Sequence, residues 1–267
     1  MRSMKSLKKT INTIFLKKTQ LLFHYLLIIF LSGFFSDGNT HERSDHIPLE
    51  IWQKVEPYFI PDYHPIVFQL NRIFCQPQIL QSIDHFKNAG FSIVYYRVGK
   101  MLAVGRHSNF SGYLVKAYMD AGYLLDWSLF PQRIEGAKHI QKFIDQYGFQ
   151  DILKVPKKWI YPLPKEMQKS SGKNFVLIVE DAELLPLEEN KKMFKEQIQR
   201  RHLKALAKVI KKAGLSDAHF KNMSFCKDNR IALYDTEIFN NWPVHLEKLT
   251  RFLSKDQKPY WEELIKK

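Results

Sequence analysis

Three kinds of hydrophobic pattern follow one another along the chain. The first is an apolar run at residues 21–35, interrupted only by small or mildly polar residues, which comes after a cationic, acid-free stretch at residues 1–18. Apolar residues three or four positions apart predict helices at residues 48–59, 65–75, 77–88, 131–147, 186–213 and 243–267. Short runs rich in β-branched and aromatic residues predict strands at residues 91–98, 101–106, 112–118, 152–161, 174–180 and 230–235. The close spacing of the first three strands predicts an antiparallel meander, and the whole order predicts an α+β fold.

The N-terminal apolar run has the length of a signal-peptide core. A membrane span needs roughly 20 apolar residues, whereas a signal-peptide core needs roughly 7–15. No A-x-A-like cleavage site follows, so a short uncleaved anchor competes with a cleaved signal peptide, and a buried helix of the fold is a third alternative. We therefore expect residues 1–36 to be a signal or anchor segment that contacts the membrane through residues 19–35. A polar linker at residues 37–47 follows it, and the body of the protein is then membrane-associated or exported.

The composition favours an anionic partner without identifying it. The formal net charge is +14, and the apolar fraction of 45% is ordinary for a globular protein. Phosphate, nucleotide, nucleic acid and acidic lipid surfaces all match such a charge. No RNA-binding aromatic motif or zinc finger supports nucleic acid. The two cysteines, Cys75 and Cys226, have no metal-ligand spacing, and one disulfide stays open if the body is exported.

The segment at residues 214–237 carries the clearest candidate chemistry. Asp217 follows the long predicted helix, Asn222 comes five residues later, and Asp235 ends a predicted strand. Two carboxylates and an amide can converge on one metal ion if a hairpin brings them together. Taken singly, each residue also fits an ordinary role in a turn or a cap.

The same segment resembles the catalytic loop of the protein-kinase-like superfamily. SDAHFKN is similar to the HGDLHPGN loop of aminoglycoside phosphotransferases, with Asp217, His219 and Asn222 on its Asp, His and Asn. YDTE, which contains Asp235, resembles the DFG element. The resemblance implies that Asp217 is the base or orients the acceptor hydroxyl, and that Asn222 and Asp235 bind magnesium.

Further matches to the same superfamily lie upstream in the chain. YLVKAY resembles the V-A-I-K strand, with Lys116 as the lysine that contacts phosphate. Glu135, near the start of the next helix, falls where the glutamate that pairs with this lysine is found. FVLIVEDAELLP resembles the fifth strand and hinge, where main-chain groups of Glu180, Asp181 and Ala182 would hold an adenine.

The resemblance implies a two-lobed protein-kinase-like fold and an ATP- and magnesium-dependent phosphotransferase. A helical extension at residues 48–90 would precede a sheet-rich N-lobe with hinge at 91–185 and a minimal helical C-lobe at 186–267. The acceptor would be a hydroxyl group on a small molecule, a glycan or a protein. Because no GxGxxG loop precedes Lys116 and DTE replaces DFG, a pseudokinase that serves as a tethered or exported binding module stays open. An unrelated membrane-associated α+β protein is the third alternative.

Overall fold

A computed structural model describes residues 41–120, 129–170 and 173–266. The predicted signal or anchor segment at residues 1–36 lies outside these described residues, as does the first part of the linker. Within the described ranges, no helix combines the length and the apolar character needed to cross a bilayer.

The helices and strands that the sequence predicts follow one another in the predicted order. In the part of the chain that the structure describes, the α-helices are α1 (Leu49–Val55), α2 (Val67–Phe74), α3 (Ile83–Asn88), α4 (Leu129–Gln146), α5 (Leu187–Lys192), α6 (Arg200–Ala213) and α7 (Lys258–Lys266). The strands are β1 (Ser92–Arg97), β2 (Leu102–Arg106), β3 (Tyr113–Tyr118), β4 (Leu153–Lys154), β5 (Lys158–Pro162), β6 (Phe175–Glu180), β7 (Met223–Phe225) and β8 (Ile231–Leu233). The predicted α+β class is confirmed.

A five-stranded antiparallel sheet forms the first half of the protein. Its strand order is β1-β2-β3-β6-β5, so β1 is an edge strand and the predicted meander of the first three strands is confirmed. Lys116 lies at the centre of β3, between Val104 of β2 and Leu177 of β6. Helix α4 follows β3 in the chain, as it does in the predicted order.

The predicted strand at residues 152–161 divides between two sheets. Its first part is β4, which pairs in parallel with β8 in a three-stranded sheet of order β4-β8-β7. Its second part is β5 of the large sheet. Pro156 lies between them, and proline cannot donate a hydrogen bond to a sheet ladder, so the strand ends there. The hairpin partner β7 was not predicted.

The predicted long helix at residues 186–213 is interrupted. A π-helical turn at Met193–Gln197 is followed by Ile198 and Gln199 in extended conformation. Gln199 then begins α6 as a new helix, because its side chain and that of His202 form a reciprocal capping box. Gly214 ends α6 with φ of 61°, a left-handed conformation that glycine adopts without strain.

The large sheet is covered on both faces. Successive strand residues point to opposite faces, and the Lys116 face packs against α4 and α1 through Trp52, Ile134 and Leu177. The other face packs against α2 and α3 through buried residues such as Leu70 and Phe86. The helical extension is therefore part of the core of the sheet. A second core joins α4, α6, α7 and the small sheet, with Trp261 fully buried.

Candidate functional site

Arg133 of α4 binds two carboxylates in the segment after β8. Its Nη1 donates to Asp235 Oδ1 at 2.6 Å, and its Nη2 donates to Glu237 Oε2. The Arg133 side chain is only 10% exposed. Burial raises the pKa of Asp235, but the opposing effects of Arg133 and the nearby lysines, Lys116 and Lys158, bring it below its usual value. One guanidinium thus binds both acids and favours the charged form of Asp235.

Gly136 lets α4 and the segment after β8 approach each other closely. A Cβ atom on Gly136 would lie 1.8 Å from the carbonyl oxygen of Thr236, which leaves no room for any other residue. Thr236 is fully buried, and its hydroxyl donates to the carbonyl oxygen of Arg133 at 2.5 Å. Gly136 and Thr236 therefore fix the distance from which Arg133 reaches Asp235 and Glu237.

Two buried lysines lie next to this cluster. Burial, with a smaller contribution from the charge of Arg133, lowers the pKa of Lys116 to about 8, whereas Asp235 and Glu237 oppose the shift. Lys158 of β5 is also buried, and its Nζ donates to the Thr236 hydroxyl at 2.8 Å. Burial lowers the pKa of Lys158 to about 7, again with Arg133 adding to the effect. Both ammonium groups thus lie in the field of Asp235.

The loop after α6 is preorganised by Asn222. Its Nδ2 donates to the carbonyl oxygen of Asp217 at 2.9 Å and to Asp217 Oδ2 at 3.0 Å. His219 Nε2 lies 3.4 Å from Asp217 Oδ1. The main-chain N–H of Tyr234 donates to the carbonyl oxygen of Asn222, which ties this loop to the strand that leads to Asp235.

One cavity of about 200 Å³ is lined by residues of this cluster and of the loop after α6. Its polar lining consists of three carboxylates, one amide and three cations: Asp217, Asp235, Glu237, Asn222, Arg97, Lys100 and Arg133. Three of the predicted site residues, Asp217, Asn222 and Asp235, are therefore brought together. A fourth, Lys116, is coupled to the cavity through the charges of Asp235 and Glu237.

Glu135 is not brought to this cavity. Its carboxylate accepts from Lys138 Nζ at 3.0 Å and hydrogen-bonds the Tyr58 hydroxyl, and its side chain is 43% exposed. Residues two apart on a helix point in nearly opposite directions, since each step turns the chain by about 100°. The predicted pairing of Glu135 with Lys116 is thereby corrected: α4 presents Arg133, a cation, where the resemblance implied an acid.

The predicted hinge residues line a different groove. Glu180, Asp181 and Ala182 border a space of about 1260 Å³ beside α4 and β5. The main-chain N–H groups of Glu180 and Asp181 already donate to the carbonyl oxygens of Lys157 and Gly112. Two of the three main-chain groups expected to face an adenine are thus engaged within the fold.

Asp181 is further held by an ion pair. Arg106 Nε donates to Asp181 Oδ2 at 2.5 Å. Burial raises the pKa of Asp181, but the hydrogen bond and charge of Arg106, the main-chain N–H of Glu183 and the charge of Lys227 together outweigh it, so the pKa lies below its usual value. The Asp181 side chain therefore links β2 to the predicted hinge.

The donor set around Asp235 does not fit a magnesium ion in this arrangement. Magnesium takes oxygen ligands in octahedral geometry. Among the described residues, no three His, Cys, Asp or Glu side chains are grouped closely enough to hold a metal. Asp235 Oδ1 is bound by Arg133, and Asn222 turns its amide N–H toward Asp217. A guanidinium thus occupies the carboxylate that the resemblance assigned to the metal.

Five residues of the site were missed by the sequence analysis: Arg97, Lys100, Arg133, Lys158 and Glu237. Glu237 could have been identified from the motif itself, since it is the last residue of YDTE. Arg133 could have been identified from the apolar positions of α4, because the helical repeat places it on the buried side and Glu135 on the other. Lys158 gave no comparable signal, since a lone lysine in a strand usually faces solvent.

Comparisons with known proteins give structural similarity only. No protein-family model and no curated protein matches the chain. Rv3197 of Mycobacterium tuberculosis, solved in complex with erythromycin, is 14% identical with a TM-score of 0.36, over 93% of this chain and 74% of that one. The PknI kinase domain of M. tuberculosis is 12% identical with a TM-score of 0.32, and a point mutant of that domain is 14% identical with a TM-score of 0.31. Both alignments cover 56% of this chain and 60% of the PknI chain.

Proposed function

We propose that this protein is a phosphotransferase of kinase-like architecture that acts on a hydroxyl acceptor with ATP as the donor. One observation carries the proposal: Asp217, Asn222 and Asp235 line one cavity, and the charge of Lys116, about 100 positions upstream, is coupled to Asp235. Phosphoryl transfer depends mainly on positioning and on charge stabilisation, and these four residues supply both.

Each residue has a role in the proposed reaction. Asp217, held by Asn222 on one carboxylate oxygen, orients the acceptor hydroxyl and takes its proton as the new O–P bond forms. The bond from the γ-phosphorus to the bridging oxygen breaks, and ADP leaves. Lys116, whose protonated form is present below pH about 8, stabilises the phosphate oxygens. Magnesium binding at Asp235 would require Arg133 to release that carboxylate.

Substitution of Asp217 tests this function. We expect Asp217→Asn to lower the rate of ADP formation by about 10²–10⁴-fold, since it removes the proton acceptor while keeping the hydrogen bond from Asn222. The measurement is ADP released from ATP, either to water or by self-phosphorylation, which needs no known acceptor. Asp84→Asn, an exposed carboxylate on α3, is the matched control. Equal rates in the wild-type protein and Asp217→Asn would overturn the proposal.

The second candidate is a catalytically degenerate module that binds a ligand in the same cleft. The observation that favours it is the hold of Arg133 on Asp235 and Glu237, which keeps a metal from the carboxylate. Calorimetric titration with ATP, with and without magnesium, separates the two candidates. The module would bind ATP with the same affinity in both conditions and form no ADP, whereas an enzyme in which Arg133 releases Asp235 to the metal would bind more tightly with magnesium and form ADP.

A further inference from the structure

Helix α6 presents only cations to solvent. Each of its exposed positions holds a lysine or an arginine: Arg200, Arg201, Lys204, Lys208 and Lys212. Residues three and four apart lie on the same side of a helix, so these side chains form a single row. With a rise of 1.5 Å per residue, the row is roughly 18 Å long. The sequence of α6 contains no acid that could interrupt it.

This row opposes the electrostatics of the helix that carries it. Like charges four residues apart repel each other, and cations repeat that spacing from Arg200 to Lys212. The N-terminus of a helix favours acids, yet α6 begins with two arginines. A face that only kept the protein soluble would mix charges of both signs. The uniform sign of this row therefore indicates an anionic partner.

Contacts within the fold neutralise little of the row. Among the described residues Arg201 is the one member with an ion pair, and its Nη1 lies 3.7 Å from Asp151 Oδ2. Lys208 Nζ lies 4.0 Å from the centre of the Tyr147 ring. An aromatic ring attracts the ammonium group and leaves its charge in place. Most of the positive charge thus remains for a partner outside the fold.

An exposed tryptophan lies at the C-terminal end of the row. Trp242 is 56% exposed, and its Nε1–H donates to the carbonyl oxygen of Lys211 at 2.9 Å. The main-chain N–H of Asn241 donates to the carbonyl oxygen of Gly214 at 2.9 Å, which fixes this segment across the end of α6. The polar group of the indole is therefore engaged within the protein. What Trp242 presents to solvent is apolar surface beside a row of cations.

We propose that the exposed row of α6 and Trp242 form a face that docks on an anionic phospholipid bilayer. Lysine and arginine are attracted to negative headgroups, and tryptophan is favoured at the boundary between headgroups and acyl chains. The sequence before the described residues favours a bilayer over nucleic acid, because it carries the apolar run at residues 21–35. The inference goes beyond the proposed reaction, since neither α6 nor Trp242 lines the cavity around Asp235.

Quenching of tryptophan fluorescence by brominated acyl chains tests this face in the full-length protein. The protein is reconstituted into vesicles of brominated phosphatidylcholine, either alone or mixed equally with phosphatidylglycerol. Attachment through residues 21–35 is available in both, so a difference between them reports the docking of the folded body. The Trp242 signal is the quenching that Trp242→Phe lacks. We expect this signal in the vesicles with phosphatidylglycerol and not in phosphatidylcholine alone.

The triple variant Lys204→Gln/Lys208→Gln/Lys212→Gln removes the part of the row nearest to Trp242. We expect it to reduce the Trp242 signal by at least about fivefold, because each cation near an anionic surface contributes about fivefold to binding. Thermal melting verifies that the variant is folded.

The matched control is Lys54→Gln/Arg72→Gln/Lys87→Gln, which removes the same charge from exposed positions of α1, α2 and α3. Its Trp242 signal should stay within about twofold of the wild-type protein. Equal signals with and without phosphatidylglycerol, or equal losses in the two triple variants, would overturn the docking face. So would a DNA duplex that binds through the three lysines of α6 while anionic vesicles give no signal. These results do not depend on whether the protein forms ADP.

Discussion

Arg133 is the residue on which the charge balance of the site depends. It neutralises two carboxylates that are each about one-third exposed. Removing one partner of a buried ionic group costs about 3–5 kcal/mol because the remaining charge is uncompensated, and solvent screening at partly exposed acids reduces this cost. Arg133 is therefore both a structural tie and a competitor for any cation that approaches Asp235.

We expect Arg133→Met to lower the free energy of unfolding by about 2–3 kcal/mol, after this screening is allowed for. The double variant Arg133→Met/Glu237→Gln should recover part of the loss, since it also removes one of the two unpaired acids. Urea denaturation measures both values, with Arg72→Met as the exposed control. A loss in Arg133→Met no larger than in the control would contradict the role of the ion pairs.

The buried lysines predict how stability depends on pH. Their pKa values, about 8 for Lys116 and about 7 for Lys158, lie below the ordinary 10.5. Between these values and 10.5 the unfolded chain binds more protons than the folded one, so stability rises with pH. We expect the free energy of unfolding to increase from pH 7.5 to 9.5, measured by urea titration.

Substitution of either buried lysine tests the source of this pH dependence. Lys116→Met or Lys158→Met should flatten the slope of the free energy of unfolding against pH, because each removes a group that loses its proton at lower pH in the folded protein than in the unfolded chain. Lys87→Met, at an exposed position of α3, should leave the slope unchanged. A wild-type stability that is flat or falls over this pH range would show that neither ammonium group is buried.

At the scale of single residues, the sequence identified site residues that lie close together in the chain and missed those that come from distant elements. Asp217, Asn222 and Asp235 lie within 19 positions of one another, so their spacing alone was informative. Arg133 and Lys158 belong to elements whose relative position depends on packing. No local pattern in the sequence encodes that packing.

Helix α4 shows what periodicity can and cannot predict at the scale of an element. Its predicted range of 131–147 agrees closely with the observed Leu129–Gln146. The apolar positions at 134, 137, 140 and 144 also determine its buried side. The partner of that side was not predictable, because the close approach depends on Gly136 meeting the main chain of Thr236.

Gly136→Ala tests this close approach. In an open helix position alanine would stabilise by about 1 kcal/mol relative to glycine. Here we expect the opposite sign, a loss of about 1–3 kcal/mol, since the added methyl group meets the Thr236 carbonyl oxygen. Gly99→Ala, whose Cβ would have no heavy atom within 4 Å, is the control and should change stability by less than about 0.5 kcal/mol. Chemical denaturation reports both, and a stabilised Gly136→Ala would rule out the contact.

At the scale of the whole molecule, the helical extension is a structural part of the sheet domain. The sequence predicted three short helices before the sheet, and their helical periodicity was sufficient for that. It did not predict that α2 and α3 would cover one face of the sheet, because amphipathic helices identify their own buried side and not its partner.

Two neighbouring residues of α2 test this packing. Leu70 is fully buried against the sheet, whereas Phe68 is 66% exposed. We expect Leu70→Ala to lower stability by about 2–5 kcal/mol and Phe68→Ala to change it by less than about 1 kcal/mol. Thermal unfolding of both variants checks the difference. Similar small effects would mean that the extension is dispensable for the sheet.

The open edge of the large sheet has a consequence for the behaviour of the protein in solution. Among the described residues β1 pairs with β2 alone, and Val94 and Tyr95 are 46% and 52% exposed. A strand with free N–H and C=O groups on one side is a template for a strand from another molecule. Because of this open edge, concentrated samples should self-associate, although the irregular register between Ile93 and Tyr95 shortens the part of β1 that can pair. Val94→Lys should keep such samples monomeric.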